Sequence, residues 1–410
     1  MNYKTIKKCR VCKSKDFKNV VSLGNMALSG YFPSKSREKV SCGPVDLVLC
    51  CNSECNLVQL KQTFNLDEMY GNNYGYRSSL NNSMVDHLKK KVSQIKHLSL
   101  LEEGDIILDI GSNDGTTLRQ YEKNKYRLLG IDPSAEKFRS YYRDDINLIV
   151  DFFSKKLFQE KFGASEKAKV VTSFAMFYDL EDPVQFATEI REILDKKGVW
   201  VLEMSYLPLM LKQNSYDTIC HEHLEYYGLK QLEFIIRKAK LKIFDYSLNS
   251  VNGGSISICV CHEHLKKEDS IQEITKLIAE EKKSINDNCF KIFEKEIKQS
   301  REKLIERLSE LKKKDKKIYA LGASTKGNII LQYCNLDNTL IEGIGEINQD
   351  KFNCFTPGTN IPIIPEEEAL RKGDIFLILP WHFSDTFLKN SKFGNKHLIF
   401  PLPFFKEVFP

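Results

Sequence analysis

The 410-residue chain carries 61 basic and 55 acidic residues, a net charge of +6, and is 42% hydrophobic with 25 Phe and 17 Tyr. That length exceeds one compact core and predicts two or three domains, while the interleaving of opposite charges, with no basic face alternating with aromatics, excludes an obvious nucleic-acid binder. The longest apolar runs, such as residues 375–380, are too short to span a membrane, and the N-terminus has no apolar signal segment, so a soluble cytoplasmic protein without membrane partners is expected.

Twelve cysteines in a large chain without an export signal point to reduced thiols or metal ligands rather than disulfides. Six of them (Cys9, Cys12, Cys42, Cys50, Cys51 and Cys55) crowd the first 55 residues. Cys9-Arg-Val-Cys12 and Cys50-Cys51-Asn-Ser-Glu-Cys55 are joined by loops poor in regular periodicity, and such a region needs a staple. Short spacers let paired thiolates converge on one tetrahedral zinc. Either Cys50 or Cys51 reaches the metal with Cys55; Cys50 is the favoured reading, which makes Cys9, Cys12, Cys50 and Cys55 a closed structural site.

An aromatic and polar run containing Tyr74, Tyr76 and Ser78 precedes a helical stretch ending near Leu98. Strand-like segments at 106–110, 127–131, 170–174 and 199–203 then alternate with helix-length segments, the pattern of a parallel, doubly wound sheet. Residues 263–316 have the spacing of long amphipathic helices with a solvated charged face. A second alternating unit follows, with strands at 317–321, 341–346 and 374–379, and no short tandem repeat is present. The expected division is 1–68, 69–262 and 263–410.

The segment Asp109-Ile-Gly111-Ser-Asn113-Asp114-Gly115 sets an acid and a glycine-rich turn directly after a strand, suited to wrapping a ligand at the sheet's carboxyl edge. Asn113 and Thr116 break the dinucleotide fingerprint, which disfavours an oxidoreductase. Asp132, ending the next strand, can accept from a ribose diol; Asp151 and Phe152, after the following strand, are candidates for adenine. Further on, Cys220-His221-Glu222-His223 is dense in proton-transfer groups but is not the H-E-x-x-H zinc pattern. In an extended segment His221 and His223 would share a face and Glu222 would point away.

Taken together, the cysteine pairs followed by Leu57-Val-Gln-Leu60, then Tyr74-Gly-Tyr76-Arg-Ser78, the Asp109–Gly115 turn, His221-Glu-His223, Val251-Asn-Gly-Gly-Ser255 and Gly322-Ala-Ser-Thr-Lys326-Gly-Asn328 resemble the zinc-containing sugar C-methyltransferases of deoxysugar biosynthesis, nearly end to end. The resemblance implies an α/β fold with an N-terminal zinc domain, a central class I methyltransferase domain and a C-terminal Rossmann-like domain. It also implies S-adenosylmethionine and structural Zn2+ as cofactors, and a nucleotide-diphosphate sugar bound between the domains. The implied reaction starts from a 4-keto sugar: a base removes the C3 hydrogen and the enolate takes the methyl group. On matching positions His223 is the base, Glu222 orients or tunes it, and Tyr76 lies near the sugar, with His221 a further candidate. Tyr74, Tyr178 and the backbone of Asn252, Gly253 and Gly254 are expected at the substrate, and Lys326 at a phosphate. Cys220 stands where antibiotic-sugar members carry Tyr, and no His lies near Phe177 or Tyr178; Tyr178, Tyr226 or Tyr227 would substitute. The rival readings are O-methylation, or other cofactor-dependent chemistry on a nucleotide sugar, and a non-catalytic zinc-domain binding protein.

Overall fold

The computed structural model describes residues 3–65, 68–69, 76–267 and 270–409. At the N-terminal end, β1 (Phe17–Ala27), β2 (Cys42–Cys50) and β3 (Val58–Leu60) form an antiparallel ladder. Its fourth strand is the distant segment Glu225–Tyr226, which pairs with β3. A stretch only two residues beyond His221-Glu222-His223 is thus stitched into the cysteine-rich unit.

The central sheet has the order β9-β10-β8-β7-β4-β5-β6, from β4 (Ile106–Ile110), β5 (Arg127–Ile131), β6 (Ile146–Ile149), β7 (Ala168–Phe174), β8 (Leu194–Ser205), β9 (Leu241–Asn249) and β10 (Ser255–His262). Strands β4 to β8 run parallel, and β10 is antiparallel to both neighbours. The sequence Ile-Ile-Leu-Asp-Ile of β4 is buried throughout, as expected for a strand covered on both faces. Helix α1 (Asn82–Ser99) is capped by the Asn81 side chain, which accepts from Ser83 N, and turns Leu88, Val92 and Ile95 toward the sheet.

Residues 263–316 are helical as their periodicity predicts, in α2 (Ile271–Ser284) and α3 (Asp287–Lys313). Helix α3 buries Phe290, Phe293, Ile297, Leu304, Leu308 and Leu311, one stripe at helical spacing. The C-terminal sheet is ordered β13-β12-β11-β14-β15-β16, from β11 (Ile318–Leu321), β12 (Ile344–Glu346), β13 (Ile363–Pro365), β14 (Ile375–Ile378), β15 (His397–Phe400) and the antiparallel β16 (Lys406–Val408).

One apolar cluster runs from Leu47 and Leu60 of the N-terminal ladder through Tyr216, Ile219, Cys220 and Leu224 to Ile318 and Leu377 of the C-terminal sheet. The segment around the histidines is therefore clamped in the seam between units. Among the described residues no helix is long and apolar enough to cross a membrane.

Candidate active site

The turn after β4 carries Gly111 and Gly115 at φ +73° and Asn113 at φ +50°, a region that glycine and asparagine tolerate best. A Cβ on Gly111 would come 3.0 Å from Met176, and one on Gly115 3.1 Å from the Tyr142 ring. Asp132 leaves β5 with its carboxylate turned back to this loop: Oδ2 accepts from Asn113 N at 2.8 Å, and Oδ1 from the amide and hydroxyl of Ser134 at 2.7 Å. A carboxylate offers about four acceptor positions, so capacity remains on Oδ2. Asp109 lies below the turn, bonded to the Thr172 hydroxyl at 2.5 Å, and burial raises its pKa to about 7. Asp151 and Phe152 lie exposed beyond β6, on the same carboxyl edge.

Asn113 also fastens the preceding segment. Its Oδ1 accepts from Ser78 N at 3.0 Å and its Nδ2 donates to the Tyr76 carbonyl at 3.2 Å, while the Tyr76 side chain remains 45% exposed. Tyr74 falls outside the described residues.

The histidine segment is bent rather than extended, and this overturns the expectation that its two imidazoles share a face. His221 turns into the N-terminal unit, fully buried with its ring 4.5 Å from that of Phe64. Both ring nitrogens lack a well-formed hydrogen bond among the described residues, and burial lowers its pKa to about 4. His223 turns the other way, partly exposed, with its ring 4.2 Å from that of Tyr178. The Thr218 carbonyl lies 2.8 Å from His223 Nδ1. A carbonyl only accepts, so Nδ1 carries the hydrogen and the neutral ring presents its lone pair at Nε2. Burial, then the Lys326 charge, lowers the pKa of His223 to about 4.

Glu222 does point away from His223, but it does not orient it. Its carboxylate reaches the Ser29 hydroxyl at 3.4 Å and would meet a Cβ on Gly30 at 2.5 Å; the group that holds His223 is the Thr218 carbonyl. Of the tyrosines considered as substitutes, Tyr227 is buried in the apolar core with its hydroxyl unpartnered among the described residues, and Tyr226 bonds the Thr218 carbonyl at 3.3 Å. Tyr178 packs its ring against His223.

Lys326 donates to the Asn252 carbonyl at 2.8 Å. Of the amides of Asn252 to Ser255, expected as donors to the substrate, those of Gly253 and Gly254 close turns onto Ser250 and Val251, and the Asn252 carbonyl faces Lys326. Behind it, buried Asp217 accepts from the Trp381 indole at 2.8 Å, and His382 follows. Sequence reasoning missed Thr218, Trp381 and His382. A Trp-His pair closing a buried strand was the available signal for the last two; for Thr218 there was none, since a carbonyl leaves no mark on residue type.

In the N-terminal unit the Sγ atoms of Cys9, Cys12, Cys50 and Cys55 all lie within 4.8 Å of one another. Cys50 turns inward while Cys51 is exposed, because successive residues at a strand end face opposite sides. Hydrogen bonds from the Cys50 and Cys55 thiols push Cys9 far down in pKa, and Gln59 Nε2 adds a donor to its sulfur at 3.2 Å.

Residues 9–70 match the family described as "Putative zinc binding domain", residues 84–245 the "Methyltransferase domain" family, and residues 250–403 the "C-methyltransferase C-terminal domain" family. Over 392 residues, 94% of this chain and 92% of the relative, the sequence is 26% identical to the C-methyltransferase NovU of Streptomyces niveus. The chain is a zinc-containing, S-adenosylmethionine-dependent C-methyltransferase. A shorter stretch of 129 residues, 28% of this chain and 43% of the relative, is 24% identical to the tRNA U34 carboxymethyltransferase of Campylobacter lari. A solved S-adenosylmethionine-dependent methyltransferase from Clostridium acetobutylicum aligns at 12% identity and TM-score 0.33 over 43% of this chain and 92% of that one.

The residues present fit both cofactors. Four convergent thiols, one held as thiolate by the others, are the donor set of a closed tetrahedral zinc site. At the central sheet, the side-chain-free turn at Gly111, the remaining acceptor capacity of Asp132 and the exposed Phe152 ring line one edge, where a nucleoside is held in such sheets. Asp132→Ala in the methyltransferase should weaken S-adenosylmethionine binding by about 1.5–3 kcal/mol, the value of a hydrogen bond to a charged group. Calorimetry on the folded variant measures this, and unchanged affinity would remove Asp132 from the cofactor site. His221→Leu replaces two poorly satisfied nitrogens by apolar atoms, which is near neutral for stability. It should fold, keep its zinc and retain methyl transfer.

Proposed function

We propose that this enzyme methylates a carbon, C3, of a nucleotide-activated 4-keto-deoxysugar, with His223 as the base that forms the enolate. The product would be a branched-chain sugar made in the cytoplasm for a surface polysaccharide or a secondary metabolite. The observation that carries this reading is the His223 ring. Its Nδ1 is spent on the Thr218 carbonyl, so the basic Nε2 is left for a substrate, and the nearby Lys326 charge favours an anion forming there. A carbon acid next to a ketone needs this pairing of a neutral base with stabilisation of the developing charge.

Bound S-adenosylmethionine supplies the electrophilic methyl group. Asp109, Gly111, Asn113, Gly115 and Asp132 would hold it, with Asp151 and Phe152 at the adenine. Tyr178 packs the flank of the base, Tyr76 lies on the side facing the cofactor turn, Tyr74 is assigned to the sugar from the sequence alone, and Asn252, with Gly253 and Gly254, holds Lys326 toward the substrate. Glu222, bonded to Ser29, positions the loop rather than the imidazole. The division 1–68, 69–262 and 263–410 belongs to the same proposal, with Glu225–Tyr226 lent to the first unit.

Mass and NMR analysis of the products formed from labelled cofactor and a panel of 4-keto-deoxysugar nucleotides tests it. A new carbon-bound methyl next to the ketone is expected. A methyl ether would overturn carbon methylation, and no turnover of any member of the panel would overturn the sugar.

A further inference from the structure

His382, like His223, lies close enough to Lys326 to feel its charge, and this reaction scheme leaves it unused. Strands β11 and β14 are adjacent and parallel, and the C-terminal sheet continues from them in opposite directions, through β12 on one side and β15 on the other. Loops that leave such a pair diverge and open a crevice at the carboxyl edge. One lip of this crevice carries Lys326, on the helix Thr325–Tyr333; the other carries Trp381 and His382.

The second lip is fixed in place. The Trp381 indole is tied to buried Asp217, and a Cβ on Gly253 would sit 3.2 Å from its ring. His382 is set edge-on to Trp381 and lies 4.3 Å from the Phe383 ring. Its Nδ1 is buried with no hydrogen-bond partner among the described residues. A buried polar atom of this kind is rare unless a ligand or water completes it. Burial, then the Lys326 ammonium, lowers the pKa of His382 to about 3, so the ring is neutral and has one N–H to give. Asp217, which also acts on Lys326, is engaged by Trp381. The crevice therefore sets a cation and a neutral donor together, a combination suited to an oxygen that gains negative charge during reaction.

We propose that His382 is a further catalytic residue, its ring N–H bonding the substrate's ketone oxygen beside Lys326 while His223 removes the neighbouring proton. The inference rests on the keto-sugar reading above. In the step, the proton goes to His223 Nε2, the C–H pair becomes the C=C bond, and the carbonyl π pair moves onto the oxygen held by His382 and Lys326. The C=C pair then forms the carbon–methyl bond, the pair of the broken S–C bond stays on sulfur, and the carbonyl is restored.

His382→Phe keeps the packing and removes the donor, whereas His382→Asn returns an N–H near the position of Nδ1. Both variants are studied as full-length zinc protein with S-adenosylmethionine, using whichever 4-keto-deoxysugar nucleotide the wild type turns over. For His382→Phe, kcat and solvent-deuterium exchange next to the ketone should fall by about 10²-fold or more. Binding of the matching nucleoside diphosphate and of the cofactor should stay within about twofold, and His382→Asn should recover most of the loss. Near-wild-type kcat in folded His382→Phe overturns the proposal, as does a parallel loss of nucleoside diphosphate binding, which would make His382 a phosphate anchor. A wild type that neither exchanges nor binds any sugar nucleotide overturns the underlying reading instead, a result visible before any variant is made.

Discussion

His223→Asn should reduce methyl transfer by about 10²- to 10⁴-fold, the range that a positioned general base contributes, while zinc content and cofactor affinity stay unchanged. Asparagine can keep a donor to the Thr218 carbonyl that now fixes Nδ1, but it has no basic nitrogen where Nε2 stood. Deuterium exchange next to the substrate ketone, measured without the methyl donor, should disappear in parallel. Near-normal turnover in the variant would take His223 out of the reaction. The pH profile gives a second check. The active form of the base is neutral, and the pKa is lowered to about 4 from the usual 6.5; kcat/KM should therefore stay level well below pH 6 and drop only as pH falls through about 4. Stability moves in the same direction. His221, His223 and His382 resist protonation in the folded chain but accept protons near pH 6.5 when unfolded. The unfolded state thus binds more protons between about pH 4 and 6.5, and stability declines as pH is lowered through that window. Short assays after a pH jump separate the two effects.

Removal of zinc should have the larger structural effect. Structural zinc in small sites contributes about 10–16 kcal/mol at neutral pH, as much as the whole net stability of a typical domain, about 5–15 kcal/mol. Without the metal, four buried or half-buried sulfurs would crowd one another with nothing between them. Cys9→Ser, or exhaustive chelation, should unfold the N-terminal unit and abolish activity with it. Cys42→Ser and Cys51→Ser, at exposed positions, should leave zinc content and melting temperature unchanged. About one zinc per chain is expected from elemental analysis. A metal-free protein with wild-type melting and turnover would refute a structural role.

Much of the fold was legible because its signals are local. The strand segments centred on 108, 129, 172 and 201 are largely apolar, buried runs, and all four appear in the central sheet. Helices α2 and α3 followed from apolar spacing alone. What stayed hidden depended on contacts distant in sequence. Extended geometry was a fair reading of Cys220-His-Glu-His, but the pairing of Glu225–Tyr226 with Val58–Leu60 and the bond from Leu224 N to the Tyr178 carbonyl bend the chain just before them. The two imidazoles consequently part. His382 escaped notice because Lys326, whose charge acts on it, comes from a segment distant in sequence, across a sheet's switch point.

The strand lent by Glu225–Tyr226 has a further consequence, for how freely this protein can be recombined. A graft that cuts at residue 68 and supplies an unrelated leading unit would take Arg10 away from Glu225, which is 2% exposed and lies 3.8 Å from it, and whose carboxyl burial already holds well above its usual pKa. A buried polar group left without its partner costs about 1–3 kcal/mol, and the ladder edge would also be left open. The cysteine-rich unit and the loop that bears His223 are therefore inherited together. A recombination placed at the boundary that amino-acid composition makes most conspicuous would cut a ladder that Glu225–Tyr226, far along the chain, completes.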